Sequence, residues 1–542
     1  MIKIEEVRKS LEILKGDPSN VSANYLISCY LAHTNRLHEV YPFISKVAES
    51  DSNIKGTNLI LGKYYWEKEK KFLKAIRLYK KELSLHPDSS LAMINLARAL
   101  IQIGEISEGI KYLKQILALN PKDILTSDSL LMHLHYKPDC SHEELLEHAK
   151  KHTQNIFKDS SPYKNTKENF QHLQLLDMKP RLKVGFVSGD FKQHSIVFFI
   201  KNLFPELNKY CDVYCYCNNK HDNMTQTLKA ESQEWRDILG VTTVEAVEII
   251  KKDQIDVLVD LSGHTGKNRL DIFIEKPCPV QVSWIGQAGP LALHEIDYML
   301  CNNYLVPREE DRFYREKPFR LAGIYAPFVI PLNNIEITPT PCLENGYITF
   351  GCLNNFIKIN QDLLLTWVEI LGKVSNSKLF LKSSLFADSE FIKRIQDFFE
   401  NKGIDSCRLI LETHDSIKLD YINKYNKIDI ALDSFPVGGN TTTNDLLFMG
   451  VPVIALYGKR MSQRSSADLL KVMGCDELIA NTKEDYIEKA VTLASDFERI
   501  NNYKNTLRSR YTNSPICDTK SFAKELSTAF SSMWQETIAG LG

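Results

Sequence analysis

The sequence predicts an α/β protein with an all-α N-terminal part, in which helical repeats precede two doubly wound α/β domains. Two observations carry this prediction. A pattern near the N-terminus recurs with a period of 34 residues, and short runs of β-branched and aromatic residues then alternate with helical lengths. A Pro-rich passage, from Pro327 through the segment ITPTPCLENG, divides the second series in two. At 542 residues, the chain is also too long for a single core.

The repeat is clearest when residues 73–87 (LKAIRLYKKELSLHP) are aligned with residues 107–121 (SEGIKYLKQILALNP). The matched pairs are Ala75 and Gly109, Tyr79 and Leu113, Leu85 and Leu119, and Pro87 and Pro121. A period of 34 residues is that of tetratricopeptide (TPR) repeats, helix pairs that bury their apolar faces by stacking on their neighbours. We predict about three repeats over residues 1–123, with a concave surface suited to an extended peptide.

The later part of the sequence predicts a connector and two α/β domains. A helical connector is expected over residues 124–178, with the polar stretch SSPYKN at residues 160–165. The first domain (179–335) contains the predicted strands RLKVGFVS, CDVYCYC, DVLVDL, VQVSWIG and DYMLCN. The second (336–542) contains YITFGCLN, SKLFLKSS, RLILE, IDIALD, PVIAL and ELIA, and a helical tail from about residue 519. Such runs are typical of buried parallel strands, so we expect a ligand cleft between the domains.

Composition excludes several classes of protein. The chain has 67 Lys and Arg against 68 Asp and Glu, which argues against a nucleic-acid partner, because phosphate binding needs an excess of basic residues. The start, MIKIEEVRKS, is charged and no long apolar run follows, so we expect a soluble, cytoplasmic protein without a membrane span. The twelve cysteines include no CxxC pair. They indicate free thiols, with zinc at Cys211, Cys215 and Cys217 as the alternative.

The strongest local signal is the segment IDIALDSFPVGGNTTTNDLLFMGVPVIAL, residues 428–456. Gly438 and Gly439 lead from a strand into Asn440, Thr441, Thr442 and Thr443 and then into an apolar helix. Glycines allow close approach of a ligand, and the free N–H groups of a helix N-terminus attract phosphate. Asp445, four residues after Thr441, can accept hydrogen bonds from ribose hydroxyls. The alternative is a well-capped helix without a ligand.

Three further loops carry candidate residues. Lys358, in GCLNNFIKINQD, is placed to offset charge on a diphosphate, or is a plain surface lysine. His194, in VSGDFKQHS, is a candidate general base or a hydrogen-bond donor to phosphate, or a solvated loop histidine. His264 and Thr265, in DLSGHTGKNR, lie in a turn that follows a strand. Walker A, GxGxxG, GxSxG and HExxH motifs do not occur, and no convincing DxD pair is present, which favours a phosphate-bearing ligand held without metal.

These residues resemble the protein O-linked N-acetylglucosamine transferases and their SPINDLY-type and bacterial relatives. RLKVGFVSGDFKQHS, VDLSGHTGKNRLDIFIEKPCPVQVSWIGQAG, ITFGCLNNFIKI and LDSFPVGGNTTTNDLLFMGVPVIALYGKRMSQRSSADLLKVMGCDELIA are similar to successive catalytic blocks of that family. The segment HLHYKPDCSHEELLEHAKKH resembles the connector of bacterial members. The resemblance implies TPR repeats followed by a GT-B fold of two Rossmann-like domains. It also implies an inverting, metal-independent transfer of a sugar from a nucleotide sugar to a protein hydroxyl.

The resemblance further implies roles for individual residues. His194 matches the histidine near the reaction centre, whose role as base is disputed within the family, and Lys358 matches the essential lysine on the diphosphate. Asn355 takes the neighbouring amide position. The remaining donor-binding matches are Lys418 on the ribose, Tyr421 where a histidine stacks on the base, Thr441 and Thr442 on the β-phosphate, Asn440 beside them, and Asp445 on the ribose. His264, Thr265 and Gly286 fall near the donor sugar and acceptor.

The sequence departs from the family pattern in two places. After Trp284 and Ile285 the family commonly has Gly-Tyr-Pro-Gly, whereas here the residues that follow Gly286 are Gln287, Ala288, Gly289 and Pro290. Asn440 replaces a histidine of the animal enzymes. We expect UDP-N-acetylglucosamine as donor and a protein held by the repeats as acceptor, with the repeats also offering a surface for self-association. GDP-fucose, another hexose or a nonulosonic acid donor, a glycan or lipid acceptor, and an inactive scaffold are the alternatives.

Overall fold

A computed structural model describes residues 2–157, 181–330, 335–413 and 418–539. The chain forms two compact units. Unit 1 comprises Met1–Asn120, Asn355–Leu364 and Phe380–His414, and unit 2 comprises Pro121–Asn354, Leu365–Leu379 and Asp415–Gly542. The predicted polar stretch at residues 160–165 and the predicted boundary at residues 178–179 lie outside the described residues. The predicted domain limits therefore stay a prediction.

The described part of residues 2–120 folds as seven α-helices, all in unit 1. They are α1 (Ile4–Gly16), α2 (Val21–His33), α3 (Tyr41–Ser50), α4 (Thr57–Glu67), α5 (Phe72–Leu85), α6 (Ser90–Gln102) and α7 (Ile106–Leu119). Helix α4 packs on α5, and α6 packs on α7. Helices α5 and α7 begin at Phe72 and Ile106, which confirms the 34-residue spacing. The helix pairs of the predicted repeats are therefore present.

Close packing between the helices of each pair explains the small residues of the repeat. A Cβ added to Gly62 in α4 would stand 2.4 Å from a ring carbon of the buried Tyr79 in α5. A Cβ on Gly109 in α7 would stand 2.5 Å from Ile101 in α6. Leu85 and Leu119, also matched by the repeat, are 37% and 70% exposed. They are the last residues of their helices, so they extend beyond the face that the partner helix covers.

Unit 2 begins with two connector helices, α8 (Ile124–Leu134) and α9 (His142–Ile156). Both helices have side-chain N-caps. Asp123 accepts a hydrogen bond from the amide of Thr126 at 3.2 Å, and Ser141 accepts one from the amide of Glu144 at 3.1 Å. Such caps satisfy amides that have no partner within the helix, which fixes where each helix starts. A helical connector after Asp123 is thus confirmed for the described residues.

The first sheet has seven strands in the order β3-β2-β1-β4-β5-β6-β7, and every neighbouring pair is parallel. The strands are β1 (Lys183–Ser188), β2 (Asp212–Cys217), β3 (Glu234–Asp237), β4 (Val257–Asp260), β5 (Val280–Ser283), β6 (Tyr298–Asn302) and β7 (Lys317–Leu321). The helices of this region are α10 (Val197–Ile200), α11 (Leu203–Leu207), α12 (Asn223–Glu231), α13 (Thr243–Asp253) and α14 (Leu270–Ile274). All five predicted strands are confirmed. The edge strands β3 and β7 were not predicted, because both are polar and β7 contains Pro318.

The second sheet has six strands in the order β10-β9-β8-β11-β12-β13. They are β8 (Ile348–Cys352), β9 (Ser377–Lys382), β10 (Leu409–Glu412), β11 (Ile430–Leu432), β12 (Val453–Leu456) and β13 (Ile479–Ala480), the six predicted. Strand β11 pairs in parallel with both β8 and β12. The helices are α15 (Pro341–Asn345), α16 (Gln361–Lys373), α17 (Ser389–Glu400), α18 (Lys418–Asn423), α19 (Thr441–Phe448), α20 (Ser465–Val472), α21 (Lys483–Ala494), α22 (Phe497–Thr512) and α23 (Thr519–Ala539). The predicted helical tail is α23.

Candidate functional site

The candidate loops all follow strands at the switch points of the two sheets. The strand order reverses between β1 and β4 in the first sheet and between β8 and β11 in the second. Open α/β sheets bind ligands beyond the carboxyl ends of their strands at such points. His194 and His264 follow β1 and β4, and Lys358 and Thr441 follow β8 and β11. The topology therefore agrees with these loops as candidate functional regions.

The loop between β11 and α19 is held by the buried carboxylate of Asp433. Its Oδ1 accepts a hydrogen bond from the amide of Gly439 at 2.8 Å and one from the side-chain amide of Asn354 at 2.9 Å. Asn354 also donates to the hydroxyl of Ser434 at 2.9 Å. The hydroxyl of Tyr486 donates to the carbonyl of Asp433 at 2.8 Å. This network fixes the loop before any ligand arrives, which is what a preorganised site requires.

The two glycines of this loop occupy positions where a side chain would collide. A Cβ on Gly438 would stand 2.6 Å from Oδ2 of Asp433, and a Cβ on Gly439 would stand 2.4 Å from Oγ1 of Thr443. Thr443 in turn shares a 2.8 Å hydrogen bond with Ser466, whose hydroxyl also bonds to the carbonyl of Gly439 at 2.9 Å. The backbone thus passes directly over the start of α19, as the sequence predicted for a close-approach loop.

The N-terminus of α19 is left available to an anion. Within the described residues, the Asn440 side chain makes no capping hydrogen bond to the first turn. Its Oδ1 lies 3.4 Å from the side-chain nitrogen Nδ2 of Asn444, which donates to the Asn440 carbonyl at 2.9 Å. Thr441 and Thr442 are half-buried at the helix start. First-turn N–H groups attract anions, and the helix dipole adds to that attraction. Of the two interpretations of this segment, the geometry therefore favours an anion site over a well-capped helix.

Three predicted donor-binding residues come together beside this helix. Burial, and next the nearby carboxylate of Asp445, raises the pKa of Tyr421 to about 12, while a hydrogen bond to Thr442 acts in the opposite direction. The Tyr421 hydroxyl lies 2.8 Å from that of Tyr425, and the two rings pack edge to face. Asp445 itself is buried. Tyr421 is half-buried, and its predicted stacking on a base stays a prediction.

The other second-sheet predictions concern Asn355, Lys358 and Lys418. Asn355 and Lys358 belong to unit 1, where they form the start and end of a short 3-10 turn after β8. The Asn355 side chain caps that turn by accepting from the amide of Ile357 at 3.2 Å. Lys358 is half-buried. Lys418 begins α18, but its side chain lies outside the described residues, so its predicted place on the ribose stays a prediction.

His194 lies in the loop after β1 with its ring 41% exposed. Its Nδ1 is 3.4 Å from the amide nitrogen of Ile196 and 3.9 Å from the carboxylate of Asp190. An accepting Nδ1 leaves Nε2 as the nitrogen that carries the ring proton in the neutral form. The exposed ring is compatible with either predicted role, base or donor.

His264, in contrast, is buried and faces the connector. Its Nδ1 lies 2.7 Å from Oδ1 of Asp128 in α8, and its backbone amide donates to the Gln287 side chain at 2.9 Å. Thr265 is half-buried next to it. Burial raises the pKa of Asp260, at the end of β4, to about 6, although two backbone amides donate to it. The predicted contact of His264 with donor sugar or acceptor is not visible in this arrangement and stays a prediction.

The loops after β1, β4 and β5 are packed against one another. The amide of Gly189 donates to Ser262 at 3.3 Å. A Cβ on Gly286 would stand 2.3 Å from the carbonyl oxygen of Leu261, so only a glycine fits there. Ile285, beside it, has a φ of 61° and donates its amide to the hydroxyl of Tyr325 at 2.8 Å. The predicted residue Gly286 is therefore a close-packing position.

The start of α19 and loops of the first α/β domain line a small cavity in unit 2. Its volume is ≈ 20 Å³, and its lining includes Asn440, Tyr325 and Asp468. Burial raises the pKa of Asp468 to about 6, and its carboxylate accepts a 2.9 Å hydrogen bond from Asn302 at the end of β6. The residue before Thr441 therefore lines the same cavity as Tyr325, whose hydroxyl accepts from Ile285 in the loop after β5.

Two groups of side chains in the described part of the chain have a composition suited to a metal ion. Asp128, His152 and His264 are all buried. In the second group, Cys217 ends β2, Asp237 ends β3 and His221 lies in the loop after β2. In each group, the donor atoms lie within 4.8 Å of one another. All twelve cysteines are free thiols, including the predicted alternative cluster on β2. Cys211 and Cys215 are not members of either group.

Several residues of this region were missed from the sequence. Asp433 directly follows β11 and Asn354 stands two residues after β8, so polarity at the strand ends was the available signal. Ser466 and Tyr425 carry no local signal, since a buried hydroxyl is recognisable only from its partner. Asp128 lies 136 residues before the histidine that it contacts.

The fold defines a two-domain α/β protein with N-terminal helical repeats and a glycine loop that leads into a helix N-terminus beside its second sheet. The chain belongs to Glycosyl transferase family 41, whose profile matches residues 128–330 and 339–526. A tetratricopeptide repeat profile matches residues 68–126. The family assignment confirms the resemblance found in the sequence, and the repeat match confirms the TPR assignment.

Curated relatives agree with this assignment. The probable UDP-N-acetylglucosamine–peptide N-acetylglucosaminyltransferase SPINDLY of Petunia hybrida is 31% identical over 370 residues, 67% of this chain and 40% of that protein. SPINDLY of Arabidopsis thaliana is 32% identical over 372 residues, 68% of this chain and 41% of that protein. This chain therefore matches less than half the length of these relatives.

A solved structure shares the fold over almost the entire chain. A mutant of the Thermobaculum terrenum O-GlcNAc transferase superposes with a TM-score of 0.83 and 27% identity, and the match covers 97% of this chain and 99% of that one. The predicted fold class, TPR repeats followed by a GT-B fold, is thereby confirmed. Among the described residues, no helix has both the length and the apolar character needed to cross a membrane.

Proposed function

We propose that this chain transfers N-acetylglucosamine from UDP-N-acetylglucosamine to Ser or Thr hydroxyls of protein acceptors, with inversion and without a metal ion. The observation that carries the proposal is the start of α19. A rigid glycine loop passes over a helix N-terminus whose first turn lacks a side-chain cap among the described residues. The named activities of the SPINDLY relatives and of the Thermobaculum enzyme support the same donor and acceptor classes.

The reaction needs charge stabilisation at the departing diphosphate. The first-turn amides of α19, with Thr441 and Thr442, would bind the β-phosphate, and Asp445 and Tyr421 would hold the nucleoside. Lys358 would add a positive charge to the leaving group, assisted by Asn355. His194 is exposed at the switch point of the first sheet and is the candidate group to receive the acceptor proton, directly or through water. A helix terminus and lysines suffice for this task, so no metal is required by the proposal.

The acceptor would reach the site from the repeats. TPR arrays bind extended peptides on their concave face, and the family relatives are named as peptide transferases. Free thiols at all twelve cysteines support a reducing, cytoplasmic setting. Self-association through the repeats stays a prediction.

Mass spectrometry of intact acceptor proteins tests the activity. The chain is incubated with UDP-N-acetylglucosamine and cell lysate, and the proposal expects a mass increase of one N-acetylhexosamine on polypeptides. Lys358→Ala should reduce turnover by at least tenfold, since loss of one electrostatic donor typically costs ~10²–10³ in rate. Lys373→Ala is the matched control, because Lys373 is an exposed lysine of α16 paired only with Glu369 in the described contacts. A Lys358→Ala protein that keeps more than a tenth of wild-type turnover would contradict the assignment.

The donor sugar needs its own experiment, because Gln287 stands at a departure from the family pattern and contacts His264. Thermal unfolding is measured with UDP, GDP, CMP and their sugar conjugates. A ligand at 100 times its dissociation constant adds ~2.7 kcal/mol of stability. If only GDP or CMP stabilises the protein, the donor is a GDP or CMP sugar and not UDP-N-acetylglucosamine. If product is found only in lipid or glycan fractions, the acceptor is not a protein.

A further inference from the structure

Asp128, in the connector helix α8, holds the loop that follows β4. Its two carboxylate oxygens accept from two different side chains of that loop. Oδ1 accepts from Nδ1 of His264 at 2.7 Å, and Oδ2 accepts from the side-chain amide of Asn268 at 2.9 Å. Asp128 is 8% exposed and His264 is 2% exposed. Charge-assisted hydrogen bonds in such surroundings are strong, and each removes one degree of freedom from the loop.

This loop is the middle one of three at the carboxyl edge of the first sheet. On one side, Ser262 accepts from the amide of Gly189, and a Cβ on Gly189 would lie 2.6 Å from the carbonyl oxygen of Lys267. On the other side, the amide of His264 donates to Gln287, and a Cβ on Gly263 would lie 2.5 Å from Cβ of Gln287. A displaced middle loop would therefore move both neighbours, which carry His194 and Gly286.

We propose that Asp128 is a positioning residue of the transferase reaction, which acts from the connector by fixing the loop of residues 261–268 and, through it, the loops that carry His194 and Gly286. It touches neither substrate in this arrangement. The proposal rests on the proposed function, because it assigns the three loops to the acceptor side of that reaction. It also implies that the first α/β domain depends on the connector for an ordered active edge.

Two residues next to Asp128, Ser127 and His152, provide a control for this proposal. Ser127, the preceding residue of α8, is equally buried, and its hydroxyl bonds to Nδ1 of His152 at 2.8 Å instead of to the loop. His152 approaches Oδ1 of Asp128 only to 3.7 Å. Ser127→Ala therefore removes a buried hydrogen bond from the same helix while both bonds from Asp128 to the loop remain.

Asp128→Asn is the decisive variant, since it keeps the size of the side chain but can accept from only one of the two loop donors. We expect kcat to fall roughly tenfold to a hundredfold, because misplacement of reacting groups by about 1 Å costs rates of that order. KM for the nucleotide sugar should change less than threefold, since the donor site lies beside the second sheet. Ser127→Ala should lower the melting temperature about as much as Asp128→Asn does, while its kcat stays within twofold of wild type. Equal kcat losses in both variants, or an unchanged kcat in Asp128→Asn, would overturn the proposal.

Hydrogen exchange supplies a readout that does not depend on activity. In the full-length protein without donor, amides of residues 261–268 should exchange at least tenfold faster in Asp128→Asn than in wild type, and at the wild-type rate in Ser127→Ala. If wild type shows no transfer with any donor, the proposed function fails, yet the exchange experiment still decides whether Asp128 fixes the loop. Elemental analysis completes the test, because a stoichiometric metal bound in wild type and absent in Asp128→Asn would make Asp128 a ligand instead.

Discussion

Helices of the N-terminal part contact the α/β part at two junctions, and the two are built in different ways. The repeat junction, in unit 1, consists of Leu73, Arg77, Gly104 and Glu105 against Ile359, Asp388, Glu390 and Arg394. The connector junction, in unit 2, consists of Asp128, His135 and His152 against His264, Asn268, Arg460 and Ser462. The first joins a tight steric contact to exposed ion pairs, and the second is made of buried polar groups. We infer that the stability of the first junction depends on the size of the side chains at the contact, and that the stability of the second depends on buried hydrogen bonds.

The repeat junction centres on Gly104, in the turn between α6 and α7. Its φ is 86°, and an added Cβ would stand 2.2 Å from the carbonyl oxygen of Ile359, which follows Lys358. Phe356, at the start of the same 3-10 turn, packs on Phe386 and Phe391. The turn between α6 and α7 of the repeats therefore packs directly against the residue that follows Lys358. Next to Gly104, Glu105 forms an exposed ion pair with Arg394.

The connector junction centres on the buried guanidinium of Arg460, which is 2% exposed. It donates to the carbonyl oxygens of Leu134, His135 and Lys137 at 3.5, 3.2 and 3.4 Å. These carbonyls belong to the end of α8 and the residues after it, so one side chain of the second α/β domain serves as the C-terminal cap of a connector helix. The ring of His135 adds a 3.0 Å hydrogen bond to Ser462.

Gly104→Val should have the largest effect. A left-handed backbone costs a β-branched residue about 1–2 kcal/mol and overpacking adds about 1–3 kcal/mol, so we expect a loss of roughly 2–5 kcal/mol. Because the clash falls on Ile359, turnover should fall along with stability. Chemical unfolding and initial-rate assays measure the two effects.

The control for this variant is Gly372→Ala. Gly372 is a helical residue of α16, and a Cβ there meets no described atom within 4 Å. Alanine is favoured over glycine in a helix by about 0.5–1 kcal/mol, so this variant should be as stable as wild type or more so. A Gly104→Val protein that unfolds at the wild-type denaturant concentration would show that the repeat junction does not depend on close packing.

Arg460→Ala should have the second-largest effect. It removes the guanidinium bonds to the carbonyls of Leu134, His135 and Lys137, of which Leu134 and Lys137 keep a backbone donor. It also leaves a gap where the side chain packed, and the two effects together cost roughly 2–4 kcal/mol. Lys459→Ala, at the exposed neighbouring position, should change stability by less than about 0.5 kcal/mol. Urea unfolding of both variants measures the difference. If Arg460→Ala lowers the free energy of unfolding by less than 1 kcal/mol, water can take the place of the guanidinium and the junction is accessible to solvent.

The connector junction should contribute to the pH dependence of stability through its two buried histidines. Burial lowers the pKa of His135 to about 3 and that of His152 to about 2, below the ordinary value of 6.5. The unfolded chain therefore binds protons that the folded chain excludes, so the stabilisation is complete above pH 6.5 and is lost as the pH falls below it. Each histidine should remove about 1 kcal/mol between pH 6.5 and 5.5.

The difference between wild type and His152→Gln isolates this contribution. Asp260 and Asp468, whose pKa burial raises to about 6, act in the opposite sense below pH 6, and the subtraction cancels them. The variant should be less stable than wild type at pH 7.5 and should lose about 1.4 kcal/mol less on acidification to pH 5.5. Parallel stability curves for the two proteins would show that His152 is protonated in the folded state.

The two junctions also mark the limit of prediction from the sequence. Periodicity located the repeats and all the central strands, and the glycine loop located the start of the helix at Thr441, because these signals are local. The anion site at that helix stays a prediction. Arg460 and Asp128 carry no such signal, since each contacts groups more than a hundred residues away. His264 was correctly placed after a strand, but the direction of its side chain depends on Asp128, which local sequence does not specify.

The ion pair between Arg77 and Glu390 should have the smallest effect. Its side chains are 58% and 49% exposed, and a nitrogen–oxygen distance of 2.9 Å links them across the repeat junction. Exposed pairs of this kind typically contribute about 0.2–1 kcal/mol, because water screens the attraction and ordering two long side chains costs entropy. A double-mutant cycle with Arg77→Ala and Glu390→Ala should therefore give a coupling within that range, which shrinks further in 0.5 M salt. A coupling above 1.5 kcal/mol that persists in salt would mean that charge, and not only the volume of the Gly104 contact, holds the repeats against the Lys358 turn.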